Sequence, residues 1–220
     1  MSRRDGDAGL TPELLLRAYA AGIFPMAECR DDDHVFWVDP QTRGVMPLET
    51  FHVPRRLKKT VRQDRYEIRV NSAFTEVING CAARSRGRDD TWINGPIERA
   101  VVELHQMGFA HSVESWLDGR LVGGLYGIAL RGAFFGESMF STETDASKVA
   151  LVHLVARLKW ARFRLLDTQF VTDHLKRFGV EEIPARVYLE RLEEALKHQC
   201  QFPLAMIPQE TEAALDAVLD

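Results

Sequence analysis

Three polar side chains sit where a protein would not normally place them without a use. Glu137 lies in Phe134-Phe135-Gly136-Glu137-Ser138-Met139-Phe140-Ser141, and Asp167 and Gln169 lie in Leu165-Leu166-Asp167-Thr168-Gln169-Phe170. A carboxylate among Phe and Met side chains is costly to bury unless a cation or hydrogen-bond donors meet it. In a strand, Asp167 and Gln169 leave the same face. Such a pattern predicts an apolar cavity with a few convergent polar groups, the usual form of a small-ligand or catalytic site.

By strand alternation Glu137 shares a face with Phe135 and Met139. Its cation is either internal, with Lys148 as the candidate, or part of a bound substrate. Asp167 only accepts hydrogen bonds, whereas Gln169 both donates and accepts. A carboxylate holding the Gln169 amide would leave the amide oxygen free for an incoming amine. The same pair could instead tie a strand end to the helix that follows. Glutamine is a poor base, so any catalytic part it plays is orientation and electrostatics. Other chemistries lack their signatures. There is no Gly-x-Ser-x-Gly elbow, no GxGxxG opening a helix and no GxxxxGK[ST] loop. The histidines and cysteines show no metal spacing, so no metal is predicted.

These groups must be positioned by a chain of 220 residues with a net charge of −4. That length supports one moderate domain or a small and a larger one. No apolar run nears the roughly 20 residues of a membrane span. The first residues carry two arginines but no apolar stretch of a secretory signal. Cys29, Cys81 and Cys200 are odd in number and far apart, which points to a reducing, cytoplasmic setting. Basic residues cluster at Arg55, Arg56, Lys58, Lys59, Arg62 and Arg65, and again at Arg84, Arg86 and Arg88. Either cluster is a solvated face or a local contact for phosphates.

Residues 1–10 read as disordered. Thr11-Pro12 opens a helix that Gly22 ends. The stretches around Ile23–Met26, Phe36–Pro40 and Arg43–Pro47 are extended or turn-like because of their prolines. A short basic helix follows Pro54, then a strand over Tyr66–Val70 and a helix capped by Ser72. Beyond the polar loop at Arg84–Asp90 come a helix from Pro96 and three strands in close order, His111–Leu117, Leu121–Ala129 and Gly132–Met139. Asp118-Gly119 is a hairpin turn. Gly123, Gly124 and Gly127 interrupt the middle strand, for a bulge or a close approach. A long helix with a wide apolar stripe starts near Asp145. A strand over Arg164–Thr168, a short helix from Thr172 and an amphipathic helix after Ile183-Pro184 follow. The fold class is therefore α+β, a mostly antiparallel sheet covered by helices. The expected units are a small N-terminal domain over 11–65, a larger domain over 66–200 and a tail over 201–220.

Taken together, several stretches resemble the bacterial leucyl/phenylalanyl-tRNA–protein transferases. They are Ala18–Met26, Thr91-Trp92-Ile93, Gly108–Glu114, Leu121–Gly127, Gly136–Ser141 with Ala146-Ser147-Lys148, Leu166–Gln169 with His174-Leu175, and Ile183-Pro184 with Tyr188-Leu189. The resemblance implies a small N-terminal domain and a C-terminal domain similar to GNAT acetyltransferases. It also implies transfer of Leu or Phe, with Met as a further donor, from aminoacyl-tRNA to proteins beginning with Arg or Lys, marking them for N-degron degradation.

By position the resemblance makes Glu137 the reader of the basic acceptor side chain and Asp167 and Gln169 the catalytic pair. The aminoacyl pocket would be walled by Leu125, Phe134, Met139, Leu151, Leu154, Leu158 and Leu166. Trp37 and Trp92 map near the tRNA 3′ end, while Arg55, Arg56, Lys58, Lys59, Arg84, Arg86 and Arg88 would meet tRNA phosphates. An aminoacyl ester is already activated, so no cofactor is expected. The partners are aminoacyl-tRNA and a protein terminus, with no membrane and no oligomer indicated. The rival readings are an acyl-CoA-dependent N-acetyltransferase, a non-catalytic tRNA-binding module and a cell-wall peptide-bond-forming transferase.

Overall fold

The structure is a computed structural model that describes residues 9–83 and 90–220. Arg84, Arg86 and Arg88 lie outside the described residues. Helix α1 (Pro12–Ala20) is capped by the Thr11 hydroxyl, which accepts from the Leu14 N–H. Gly22, with φ of +82°, turns the chain out of it into β1 (Phe24–Met26). Strand β1 pairs only with β2 (Phe36–Val38), as a two-stranded ribbon. Next come β3 (Thr42–Met46), α2 (Arg55–Arg62), β4 (Glu67–Val70), α3 (Phe74–Ala82) and α4 (Gly95–Gln106). The meander β5 (Ala110–Leu117), β6 (Arg120–Leu130) and β7 (Ala133–Ser141) leads into α5 (Ala146–Trp160). The chain ends with β8 (Leu165–Gln169), α6 (Asp173–Lys176), β9 (Glu181–Pro184), α7 (Ala185–Lys197) and α8 (Pro208–Leu219).

Seven strands form the main sheet in the order β4-β5-β6-β7-β8-β3-β9. Every pairing is antiparallel except β7 with β8. The α+β class, with helices over a mostly antiparallel sheet, is what the structure shows. Helices α2, α5 and α8 cover one face around Leu57, Leu151, Leu154 and Val218. Helices α1, α3, α4 and α7 cover the other around Leu15, Ile78, Leu104 and Leu192.

The structure differs from the sequence reading in several places. The stretch from Arg43 to Met46, extended or turn-like by its sequence and assigned to the small N-terminal unit, is β3, inserted between β8 and β9 in the main sheet. Its partners lie more than a hundred residues away in sequence, which no local pattern reveals. Strand β9 lies where the sequence indicates only a lead into a helix. The tail forms α8, which lies along α5. That explains why α5 is buried nearly all round, His153 and Arg157 included, instead of showing one stripe. Arg157 anchors the tail by donating to the Pro203 carbonyl at 3.1 Å.

Ser72 does not cap α3. The N-cap is Ala73, and the Ser72 hydroxyl donates to Glu114 on β5. Glu114 is fully buried and also accepts from the Ala73 N–H, the Ser112 hydroxyl and the Trp116 indole, at 2.9, 2.8 and 3.1 Å. Four donors meet this carboxylate, as burial demands. Among the glycines of β6, Gly123 serves a close approach. A Cβ there would come within 2.6 Å of the Ala146 Cβ, where α5 begins. Gly127 adjoins a bulge, where the register with β7 shifts.

Candidate active site

The parallel pair β7–β8 brings Glu137 and Gln169 together. Across the bulge, Gly136 pairs with Gly127 and Ser138 with Tyr126, so Glu137 is the extra residue on β7. Period-two alternation put Glu137 on one face with both Phe135 and Met139. The bulge breaks that count. Phe135 packs in the core beneath α1, whereas Met139 packs towards α5. Glu137 nonetheless opens on the same cavity as Met139.

That cavity, of about 280 Å³, is walled by Leu125, Met139, Leu151, Leu154, Leu166 and Leu175, with Glu137, Gln169 and Trp92 also lining it. Leu125, Met139, Leu151, Leu154 and Leu166 are thus on its wall. Phe134 and Leu158 are not. Both are fully buried in the core behind, where Phe134 meets Phe163 and Phe202 edge-on and tilted. Trp92 is on this cavity. Trp37 lines a separate groove with Leu14 and Arg99.

Glu137 has no cation. Among the described residues it forms no ion pair, and the suggested partner, Lys148, is bound to Asp145 at 2.5 Å. Part of Glu137 opens on the cavity, but protein surrounds its carboxyl. Burial pushes the pKa up to about 7, against the lowering effect of the Tyr19 hydroxyl beside it and of Gln169. Gln169 Nε2 donates to Glu137 Oε1 at 2.8 Å. The amide is thereby fixed, and no described residue donates to its Oε1.

Asp167 does not hold the Gln169 side chain, contrary to the expectation. It is fully buried and holds the Gln169 backbone N–H, which donates to Oδ1 at 2.7 Å. Gln169 needs that hold, because its φ of +60° is left-handed and uncommon for a residue with a Cβ. The partner that sequence reasoning missed is Arg43. Its Nε donates to Asp167 Oδ1 at 3.0 Å and its Nη2 to Oδ2 at 2.6 Å, a bidentate pair. Its Nη1 donates to the Gly22 carbonyl at 2.8 Å. The guanidinium lies between the rings of Phe24 and Tyr188, 4.6 and 4.5 Å from their centroids. The Tyr188 hydroxyl completes the set by donating to Asp167 Oδ2 at 2.7 Å.

The charges therefore separate into a neutralised pair, Arg43 with Asp167, and one surplus carboxylate at the cavity. A hydrocarbon wall, an acid without an ion-pair partner and a fixed amide are parts that suit a transferase of an apolar group. The sequence comparisons say which transferase family this is. A family model described as leucyl/phenylalanyl-tRNA protein transferase matches residues 45–193, and the model of that family's N-terminal domain matches residues 8–41. The chain belongs to this family.

Relatives called leucyl/phenylalanyl-tRNA–protein transferase agree. That of Nitrobacter winogradskyi is 55% identical over 100% of this chain and 99% of its own length. That of Paramagnetospirillum magneticum is 58% identical over 88% of this chain and 92% of its own. That of Phenylobacterium zucineum is 61% identical over 86% and 85%. No described helix is long and apolar enough to cross a membrane.

Proposed function

We propose that this enzyme transfers Leu or Phe from aminoacyl-tRNA to the α-amino group of proteins whose first residue is Arg or Lys, and so marks them for degradation. The observation that carries the reading is Glu137, a carboxylate without a cation, bonded to Gln169 at the mouth of an apolar cavity. The cavity takes the hydrocarbon side chain of the donor. It discriminates strongly against polar side chains and weakly between near-isosteres, by ~1–3 kcal/mol per methylene. Glu137 Oε2 receives the basic side chain of the acceptor, while Oε1 holds the Gln169 amide. Gln169 Oε1 accepts a hydrogen bond from the neutral α-amine and aims its lone pair at the ester carbonyl. The C–N bond forms and the ester C–O bond breaks. The amine proton ends on the terminal ribose oxygen of the tRNA. Asp167 acts at one remove, through the backbone of Gln169.

The decisive assay pairs leucyl-, phenylalanyl- and methionyl-tRNA with peptides that begin with Arg, Lys or Ala. Transfer to Ala as fast as to Arg would overturn the acceptor reading. Gln169→Ala is expected to lower single-turnover transfer about 100-fold, the scale of a lost orienting contact, with donor affinity nearly unchanged. A normal single-turnover rate would remove Gln169 from the mechanism.

A route for the tRNA leads away from the cavity. The cavity shares Met139 and His174 with a groove of about 580 Å³, which in turn shares Thr144, Asp145 and Lys148 with a depression lined by Arg56 and Arg177. That path ends on α2, where Arg55, Arg56 and Lys59 are exposed. Lys58 differs from them. It donates to the Leu219 carbonyl at the end of α8, so it serves the fold first. Neutralising Arg55, Arg56 and Lys59 together is expected to reduce the slope of log affinity against log salt by about 2 to 3, near one per phosphate contact. An unchanged slope would place the tRNA elsewhere. Lys58→Ala is expected to lower stability instead.

A further inference from the structure

Two buried phenol hydroxyls stand beside Glu137 with nothing bonded to them. Tyr19 on α1 and Tyr126 on β6 are each 1% exposed, and neither hydroxyl has a hydrogen-bond partner among the described residues. Buried hydroxyls normally find partners, and one left over needs an explanation. Both rings are held by packing that Phe would reproduce. Tyr19 lies against Phe135 with centroids 4.9 Å apart, and Tyr126 meets Phe74 edge-on at 6.1 Å. Neither hydroxyl bonds within the core, and that of Tyr19 lies near enough to Glu137 to favour its ionised form. Tyr126 lines the cavity together with Glu137, and Glu137 is the charge that bears most heavily on both phenols.

We propose that Tyr19 and Tyr126 are specificity-determining residues whose hydroxyl oxygens, with the Glu137 carboxylate, form a cradle that selects a guanidinium over an ammonium as the acceptor's first side chain. The proposal rests on the acceptor reading given above and adds a preference for Arg over Lys. A guanidinium carries five N–H donors in a planar fork, and an ammonium carries three on one atom. The fork spreads its donors over three nitrogens and can serve acceptors on different sides of the group, whereas an ammonium presents all of its donors from one atom. Neutral phenols suit the task, because they accept hydrogen bonds without adding charge to a site that already holds one surplus carboxylate.

The test uses the full chain and its Tyr19→Phe and Tyr126→Phe variants, with leucyl-tRNA as donor. The acceptor peptides differ only in a first residue of Arg or Lys. The wild type is expected to favour Arg. Each variant should raise KM for the Arg peptide about ten-fold, the scale of one lost hydrogen bond to a charged group. KM for the Lys peptide should change less than about two-fold, and KM for leucyl-tRNA should hold. Thermal midpoints should stay level or rise, since packing is kept and an unpaired hydroxyl is gone. An unchanged Arg-to-Lys ratio in both variants would overturn the proposal, as would equal losses for the two peptides or a weakened donor. A variant that loses its thermal transition would show that its hydroxyl serves the fold, which removes that residue from the cradle. A wild type that uses neither Arg nor Lys termini would sink the acceptor reading itself. A working wild type with an unmoved ratio sinks only this inference.

Discussion

Arg43→Met is expected to lower the free energy of unfolding by about 3–5 kcal/mol, the scale of breaking a buried pair by removing one partner. The residue is 1% exposed and joins three segments that are distant in sequence. It reaches the Gly22 carbonyl at the end of α1, Asp167 on β8 and, by stacking, Tyr188 on α7. Methionine fills much of the space but strips Asp167 of its cation, so an ionised carboxylate would stay in the core with only Tyr188 and the Gln169 N–H to meet it. Arg43→Lys should recover little, because an ammonium can neither make the bidentate pair nor stack between two rings. Removing both charges in Arg43→Met with Asp167→Leu should restore part of the loss, since an apolar replacement of a whole buried pair is often neutral. Urea denaturation of the three variants decides the matter. A loss below about 1 kcal/mol for Arg43→Met would mean that Asp167 is otherwise compensated. Activity should fall further than stability explains, because the left-handed Gln169 backbone loses its anchor when Asp167 relaxes.

The relation between this sequence and its site follows from the range over which each contact acts. The meander was legible because Asp118-Gly119 and the alternation around it are local signals, and β5 pairs with β6 through them. The wall residues Leu125, Leu151 and Leu166 were found because a family resemblance mapped them, and the cavity contains them. Arg43 was not found. It sits four residues before a proline in a stretch with no periodicity, and its meaning comes from a strand 124 positions away. The face of Glu137 was misjudged because a bulge adds one residue to β7, and counting by twos cannot anticipate an insertion set by the partner strand. The contact between Asp167 and Gln169 differs from the expected one for a different reason. Side chains two apart on one face invite a side-chain pair, but the left-handed turn at Gln169 presents the backbone N–H instead. Helix α8 escaped because the tail's amphipathic pattern is weak, although an α5 apolar on nearly every side already called for a cover.

Glu137→Gln should separate the cost of the site from its use. The substitution keeps the shape and leaves an oxygen for the Gln169 amide, but removes the charge. In the wild type the folded carboxyl titrates near 7, above the ordinary carboxylate range of the unfolded chain, because burial disfavours the charged form. Between those values the unfolded state binds fewer protons than the folded one, so stability falls as pH rises from about 4.5 to about 7 and then levels. The glutamine variant lacks that fall. It should match the wild type at pH 4 and exceed it by about 1–3 kcal/mol at pH 8, the lower part of this range reflecting solvent in the cavity. A variant-minus-wild-type difference that stays flat across this interval would contradict a carboxylate strained by burial. Function should move the opposite way. With the charge gone, KM for a peptide beginning with Arg should rise at least 30-fold, the scale of truncating one partner of a desolvated charge pair at about 2 kcal/mol. The aminoacyl donor should bind as before. Linkage joins the two effects, because a cation that binds only the ionised form draws the pKa of Glu137 down. Adding an Arg-initiated peptide at pH 7 should then release a proton from Glu137, seen by calorimetry in buffers of different ionisation enthalpy. The Glu137→Gln variant should release none from this position. Both outcomes together would make the instability of a carboxylate in the free protein the source of selectivity for a basic acceptor.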